Sequence, residues 1–237
     1  MSEVAANLAR LRERLAEACA RCGRDQLEVT LVAVSKRIPL TRVVDACRAG
    51  QSVFGENRLQ DAVPRQGELR AALHAAELDH ELPRWHFIGS LQSNKARKAV
   101  GAFELIHGVD SLALGRRLAD IAEQKNVRQP ILLQVNVTGE MGKHGLSPES
   151  VPDTACELAA ASHLDLQGLM TMALAGAAEA ELRTTFATLR RLVDDLRQQT
   201  ALPMPHLSMG MSGDFEAAVA EGSTLVRIGS SVFGPRE

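Results

Sequence analysis

The sequence predicts one α/β domain over residues 1–237, a parallel (β/α)8 TIM barrel with one additional N-terminal helix. Three observations lead there. Apolar, β-branched runs alternate with amphipathic helical segments about eight times along the chain, which is the pattern of parallel strands joined by crossover helices. The 237 residues come close to the roughly 250 typical of such a barrel. No Pro/Gly/Ser-rich linker or low-complexity tract divides the chain. A doubly wound open sheet would show the same alternation, but its G-x-G-x-x-G fingerprint at the first helix is missing.

Val4, Leu8, Leu11 and Leu15 recur at helical spacing and Gly23 stops that leading helix. The run LEVTLVAV, Leu27 to Val34, suits a strand covered on both faces. A helix from Leu40 to Ala49, a short strand QSVFG and a long helix from Asn57 to about Leu78 follow. WHFIG, Trp85 to Gly89, is the third strand, after which Ser93 or Asn94 can cap a basic helix. FELIHGV, Phe103 to Val109, is the fourth, with Asp110 or Ser111 capping the next helix. PILLQVNV, Pro130 to Val137, is the fifth; beyond a Gly-rich loop, Ser147, Pro148 and Glu149 open a helix. LDLQGLM, Leu164 to Met170, is the sixth strand, and Glu179 to Gln199 is the longest amphipathic helix. His206 to Met209 and Ser223 to Gly229 complete the set, with a helix at Asp214 to Ala220 between them.

Lys+Arg number 27 against 29 Asp+Glu, so the net charge of −2 argues against nucleic-acid or membrane-surface binding by electrostatics. No apolar run approaches the roughly 20 residues of a membrane span. The N-terminal MSEVAANLARLRERL lacks the unbroken apolar core of a signal peptide, so a cytoplasmic location is expected. A monomer is expected as well. Four cysteines are too few for a disulfide framework. Tyrosine is absent, which removes every mechanism needing a phenol from this chain.

In a barrel of this kind, functional groups sit at the carboxyl ends of strands and in the loops beyond them. Lys36 follows LVAV at the end of strand one, where a hydrated ammonium is costly without a purpose and a free amine could form a Schiff base. Its plainer reading is a strand-end lysine reaching water. Two small-residue loops follow strands seven and eight: GMSGDF, with Met211 and Ser212, and RIGSSVFG, with Arg227, Gly229 and Ser230. Each alone could be a simple turn. Together, at those two strands, they match the usual phosphate position of the barrel. Strands two and five run into Asn57 and Asn136.

Other motifs fall away. Gly139 to His144 has the wrong glycine spacing for a P-loop and no Ser/Thr after Lys143. Cys19-Ala-Arg-Cys22 lies on an amphipathic helix and reads as packing. The seven histidines show no ligand spacing, so no metal site is expected. Lys95, Arg97 and Lys98 read as the solvated face of a helix, and Gly210 to Gly213 is not a serine-hydrolase elbow.

The segments AVSK, FGEN, WHFIGSLQSNK, QVNV, GLMTM, LSMGMSGDFEAAVAEGSTLVR and RIGSSVFG span nearly the whole chain, in order. Taken together they resemble the pyridoxal phosphate homeostasis protein family. The resemblance implies a barrel like the amino-terminal domain of alanine racemase, with pyridoxal 5′-phosphate held as an aldimine on Lys36. It places Arg227 at the pyridine nitrogen and Ser212, Gly229 and Ser230 at the phosphate. Asn57 and Asn136 at strand ends and Met211 in the loop after strand seven are expected as further cofactor-binding positions. The resemblance implies intracellular buffering or delivery of the cofactor to pyridoxal-phosphate-dependent apoenzymes, with no catalytic residues. Two positions depart from the family pattern: Ile38 stands where many members have a second lysine, and Arg58 where many have an aromatic residue. Racemases of the similar barrel use a tyrosine from an additional domain, which this chain does not supply. A Schiff-base aldolase would use the same lysine and loops, and cofactor absorbance separates the two readings.

Overall fold

Ser2 accepts a hydrogen bond from the Ala5 N–H and so opens α1 (Glu3–Arg21), whose buried face carries Val4, Leu8, Leu11 and Leu15. Gly23, at φ +66°, takes the left-handed turn that ends it. The computed structural model describes residues 2–78, 82–140, 142 and 144–234. Beyond α1 the strands and helices alternate as the sequence predicts: β1 (Thr30–Val34), α2 (Leu40–Arg48), β2 (Val53–Glu56), α3 (Leu59–Ala75), β3 (Arg84–Phe87), α4 (Ala96–Ala99) and β4 (Leu105–Val109). There follow α5 (Leu112–Gln124), β5 (Gln129–Gln134), α6 (Val151–Ala159), β6 (Leu164–Met170), α7 (Glu179–Thr200), β7 (His206–Ser208), α8 (Phe215–Ala220), β8 (Leu225–Ile228) and α9 (Ser230–Phe233). The strands form one closed parallel barrel in sequence order, and β1 closes on β8 from Thr30 opposite Leu225 to Ala33 opposite Ile228.

Local differences from the sequence reading have physical causes. Strand one begins at Thr30 rather than Leu27, because Asp25 accepts from the Leu27 N–H and caps a 3₁₀ turn over Gln26–Glu28 that leaves Leu27 90% exposed. The basic segment after strand three is a 3₁₀ turn, Ser93–Lys95, followed by the single helical turn of α4, and neither Ser93 nor Asn94 caps it. Ser147 with Pro148 likewise opens a 3₁₀ turn, Pro148–Ser150, that leads into α6. RIGSSVFG, expected as a loop, instead closes into the single turn of α9 after Gly229.

Side-chain alternation sorts the strands into two layers. Leu31, Ala33, Phe54, Trp85, Phe87, Ile106, Val226 and Ile228 pack with the helices in one large apolar layer. Val32, Val53, Leu105, Leu132, Met170 and Leu225 form a separate, smaller cluster, which is the barrel interior. The helices thus carry most of the apolar core, and the interior is left partly polar.

Candidate functional site

Lys36 sits in a turn closed by the Ile38 N–H donating to the Ser35 carbonyl at 3.1 Å, with Arg37 in the left-handed region at φ +59°. A buried clamp holds this turn from behind. The Ser35 hydroxyl donates to Glu56 Oε1 at 2.7 Å, Arg65 Nε lies 3.8 Å from the same oxygen, and the Arg65 guanidinium donates to the Ile38 carbonyl. Burial pushes the Glu56 carboxyl up, against the Ser35 hydrogen bond and the Arg65 charge. Ile38 thereby packs against the core and takes part through its backbone.

Across the rim, Gly210 at φ +95° begins the loop after β7; a Cβ there would lie 2.7 Å from the Ala218 Cβ and 3.0 Å from the Phe215 Cα. The Met211 N–H donates to Asp214 Oδ1 at 2.5 Å and its carbonyl accepts from the Phe215 N–H at 3.0 Å, which ties the loop to α8. Burial raises the Asp214 carboxyl. The loop after β8 meets it where the Ser230 hydroxyl donates to Ser212 Oγ at 3.0 Å. Between these walls lies Arg227, only 5% exposed, donating to Ser208 Oγ at 2.5 Å and to the Thr171 carbonyl at 2.9 Å. Burial lowers its pKa to about 10, with Asp214 opposing, so the guanidinium stays charged at neutral pH.

These elements enclose a cavity of about 440 Å³ at the carboxyl end of the barrel. Of the eight residues singled out in the sequence, Lys36, Asn57, Met211, Ser212, Arg227, Gly229 and Ser230 line it, and Asn136 does not. The Asn136 carboxamide is used inside its own loop, donating to the Glu140 carbonyl at 3.0 Å and accepting from Thr138 Oγ1 at 3.2 Å. Asn57 Oδ1, by contrast, is buried and accepts no hydrogen bond from the described residues. A second cavity of about 560 Å³ shares Asn57 and Ser90 with the first and is lined by Arg58 and Lys95. Lys143 lies outside the described residues.

Two histidines that sequence reasoning gave no role lie beneath Arg227, together with Ser208 at the end of strand seven. His86, His107 and Ser208 are buried on β3, β4 and β7, next to Trp85 and Phe87, Ile106, and Leu207 and Met209 of the apolar layer that packs with the helices. The signal was there: a polar residue alternating with apolar ones in WHF, IHG and LSM, as in VRI. Among the described residues no cluster of His, Cys, Asp and Glu could hold a metal, and no helix is long and apolar enough to cross a membrane.

Comparison with known proteins agrees with this architecture. The family model described as alanine racemase, N-terminal domain, matches residues 6–237. The pyridoxal phosphate homeostasis protein of Pseudomonas aeruginosa is 42% identical over 241 residues, covering 100% of this chain and 97% of its own. PipY of Synechococcus elongatus PCC7942, solved with pyridoxal phosphate bound, aligns with a TM-score of 0.81 at 37% identity over 98% of this chain and 100% of its own. Alanine racemase of Clostridium difficile 630 aligns with a TM-score of 0.70 at 13% identity over 95% of this chain and 56% of its own, a likeness of fold alone. The chain belongs to the alanine racemase N-terminal domain family and, within it, to the pyridoxal phosphate homeostasis proteins.

Proposed function

We propose that the chain binds pyridoxal 5′-phosphate in the rim cavity, attached to Lys36 Nζ as a Schiff base, and that it stores and delivers the cofactor to apoenzymes inside the cell without turnover. The observation that carries this is the convergence of Lys36, Arg227 and two small-residue loops on one cavity of about 440 Å³. The residues suit the group. Ser212, Ser230 and the Gly229 backbone offer short donors to a phosphate, and the orphan Asn57 Oδ1 suits a donor such as the ring hydroxyl. When bound, the cofactor supplies an electrophilic carbonyl and a ring able to delocalise a carbanion.

The chain's own groups favour holding over reacting. Arg227, charged at neutral pH, donates to a ring nitrogen without protonating it, which leaves the ring a weak electron sink. No tyrosine is present to serve as a second acid or base. Glu56 holds the Lys36 turn through the Ser35 hydroxyl, and so keeps the amine's approach fixed while the bond opens and closes.

The test is the visible spectrum of purified protein before and after borohydride, followed by peptide mapping. A pyridoxyl group on Lys36, and loss of the absorbance band in Lys36→Ala, are expected. Recovery of the label chiefly on Lys95 or another lysine would overturn the assignment, and Lys36-dependent turnover of D- or L-alanine would overturn the absence of catalysis.

A further inference from the structure

Beneath the cavity, four inward-facing polar residues form one hydrogen-bonded chain through the barrel. Arg227 Nη1 lies 2.5 Å from Ser208 Oγ, Ser208 Oγ lies 2.8 Å from His107 Nδ1, and His107 Nε2 lies 3.0 Å from His86 Nδ1. Ser208 and His107 are fully buried, and His86 and Arg227 are each 5% exposed. His86 also lines a cavity of about 210 Å³ that includes Thr30, Arg84, Glu104 and His206, residues at or before the amino ends of their strands. The chain therefore runs from the rim cavity to the opposite mouth.

Donor counting gives it a direction. A guanidinium has only donors, so the Ser208 oxygen accepts from Arg227. The single hydroxyl proton of Ser208 is satisfied by donating to His107 Nδ1, its other partner at 2.8 Å, when that nitrogen is bare. The His107 proton sits on Nε2 and is donated to His86 Nδ1, and the His86 proton sits on Nε2. Both rings are neutral in this arrangement. Burial, with Arg227 and the neighbouring histidines, holds His107 well below its ordinary pKa, and burial with the Arg84 charge lowers His86 to about 3.

We infer that His107, backed by His86, is a positioning residue for Arg227: by accepting the Ser208 proton it turns the serine oxygen toward the guanidinium and fixes that group at the floor of the rim cavity. This rests on the reading of that cavity as a cofactor site. His107→Leu leaves the Ser208 hydroxyl without its acceptor, freeing it to rotate. His107→Gln keeps the direction, with a carboxamide oxygen to accept from Ser208 and an N–H to donate to His86.

Two measurements test the inference. On the protein without cofactor, nitrogen-15 ring spectra at neutral pH should show His107 neutral with its proton on Nε2. A charged ring, or a proton on Nδ1, overturns the inference whatever the cavity binds. On the loaded protein, His107→Leu should weaken pyridoxal phosphate binding about tenfold and shift the absorbance band or its pH titration, and His107→Gln should restore both to within about threefold. Ser208→Ala, which cuts the same link with a smaller change of volume, should reproduce the Leu phenotype and stands in for it if the Leu variant does not fold. Unchanged spectrum and affinity in a folded Leu or Ser208→Ala variant overturns the inference. Failure of the wild-type protein to bind pyridoxal phosphate is a failure of the cofactor reading instead, and the ring spectra then decide the inference alone.

Discussion

The two halves of the barrel's carboxyl rim use the same kinds of residue to opposite ends. On the half formed by β7, β8, β1 and β2, the connecting loops are short, and Ser212, Ser230, Lys36 and Asn57 are turned toward the cavity. On the half formed by β4 and β5, the polar groups are used within the long connection 135–147. Gln134 donates to the His144 carbonyl at 2.8 Å, Asn136 donates to that of Glu140, and His144 pairs with Asp110 at 3.1 Å. The long loop brings backbone carbonyls that occupy the Gln134 and Asn136 carboxamides, whereas the two-residue connection Asn57-Arg58 brings no donor to the buried Asn57 Oδ1. A polar residue at a strand end therefore marks a binding site only where its own loop cannot satisfy it.

The largest expected effect tests the serine and glycine loops of the first half. A phosphate dianion accepts several charge-assisted hydrogen bonds, each worth about 1.5–3 kcal/mol, so dephosphorylated pyridoxal should bind weaker than pyridoxal phosphate by about 100-fold or more. Titration of the cofactor-free protein with both aldehydes decides it. Comparable affinities would mean that these loops are turns only, no different in role from the connection after β5.

The fold was legible because alternation between apolar runs of period two and period 3.6 survives wherever one face meets the helices, and Leu164 to Met170 is a strand with the bounds read from the sequence. Leu27 misled because an apolar residue beside a strand looks like part of it, and only the Asp25 cap shows that the chain turns there. The cavity residues were legible through position, since a barrel offers function at strand ends. Asn136 satisfied the same rule and failed it, because a sequence does not show which carbonyl a carboxamide will find. His86 and His107 have no metal-ligand spacing, but their alternation with apolar neighbours aims them inward.

The next effect reaches below the rim, where the half of the barrel under Arg227 is polar. His86 has its pKa lowered from 6.5 to about 3 by burial first and the Arg84 charge second, and His107 is lowered too. Between these limits the unfolded chain binds more protons than the native one, so the histidines' contribution to stability is constant above about pH 6.5 and falls as pH drops toward 3, by at most about 1.4 kcal/mol per pH unit per histidine. Glu56 and Asp214, raised by burial, act in the opposite sense: just above their ordinary values of 4.5 and 3.8 the native state holds more protons, and they offset part of the loss. Urea unfolding from pH 7 down to 5 should therefore show falling stability, with a shallower slope in His107→Gln. Equal slopes in the two proteins would place the acid sensitivity elsewhere.

The smallest effect gives the sharpest comparison, because it sets one asparagine from each half against the other. Asn57 Oδ1 is buried without a partner among the described residues, so Asn57→Ala removes an unsatisfied acceptor and should leave the cofactor-free protein as stable as before or slightly more so. The same change deprives a bound ligand of an acceptor, and affinity for pyridoxal phosphate should fall about tenfold. Asn136→Ala should do the reverse. It removes a donor to Glu140 and an acceptor for Thr138, at about 1 kcal/mol for each hydrogen bond lost, which lowers Tm by about 2–4 °C per kcal/mol in a chain of this size. Its affinity should stay within about twofold of the parent, since the side chain lies off the cavity. Thermal melts without cofactor and equilibrium titrations with it, on both variants, give four numbers that must cross. If Asn136→Ala lost affinity while keeping its Tm, the connection after β5 would belong to the site, and loop length would not be what separates the two halves of the rim.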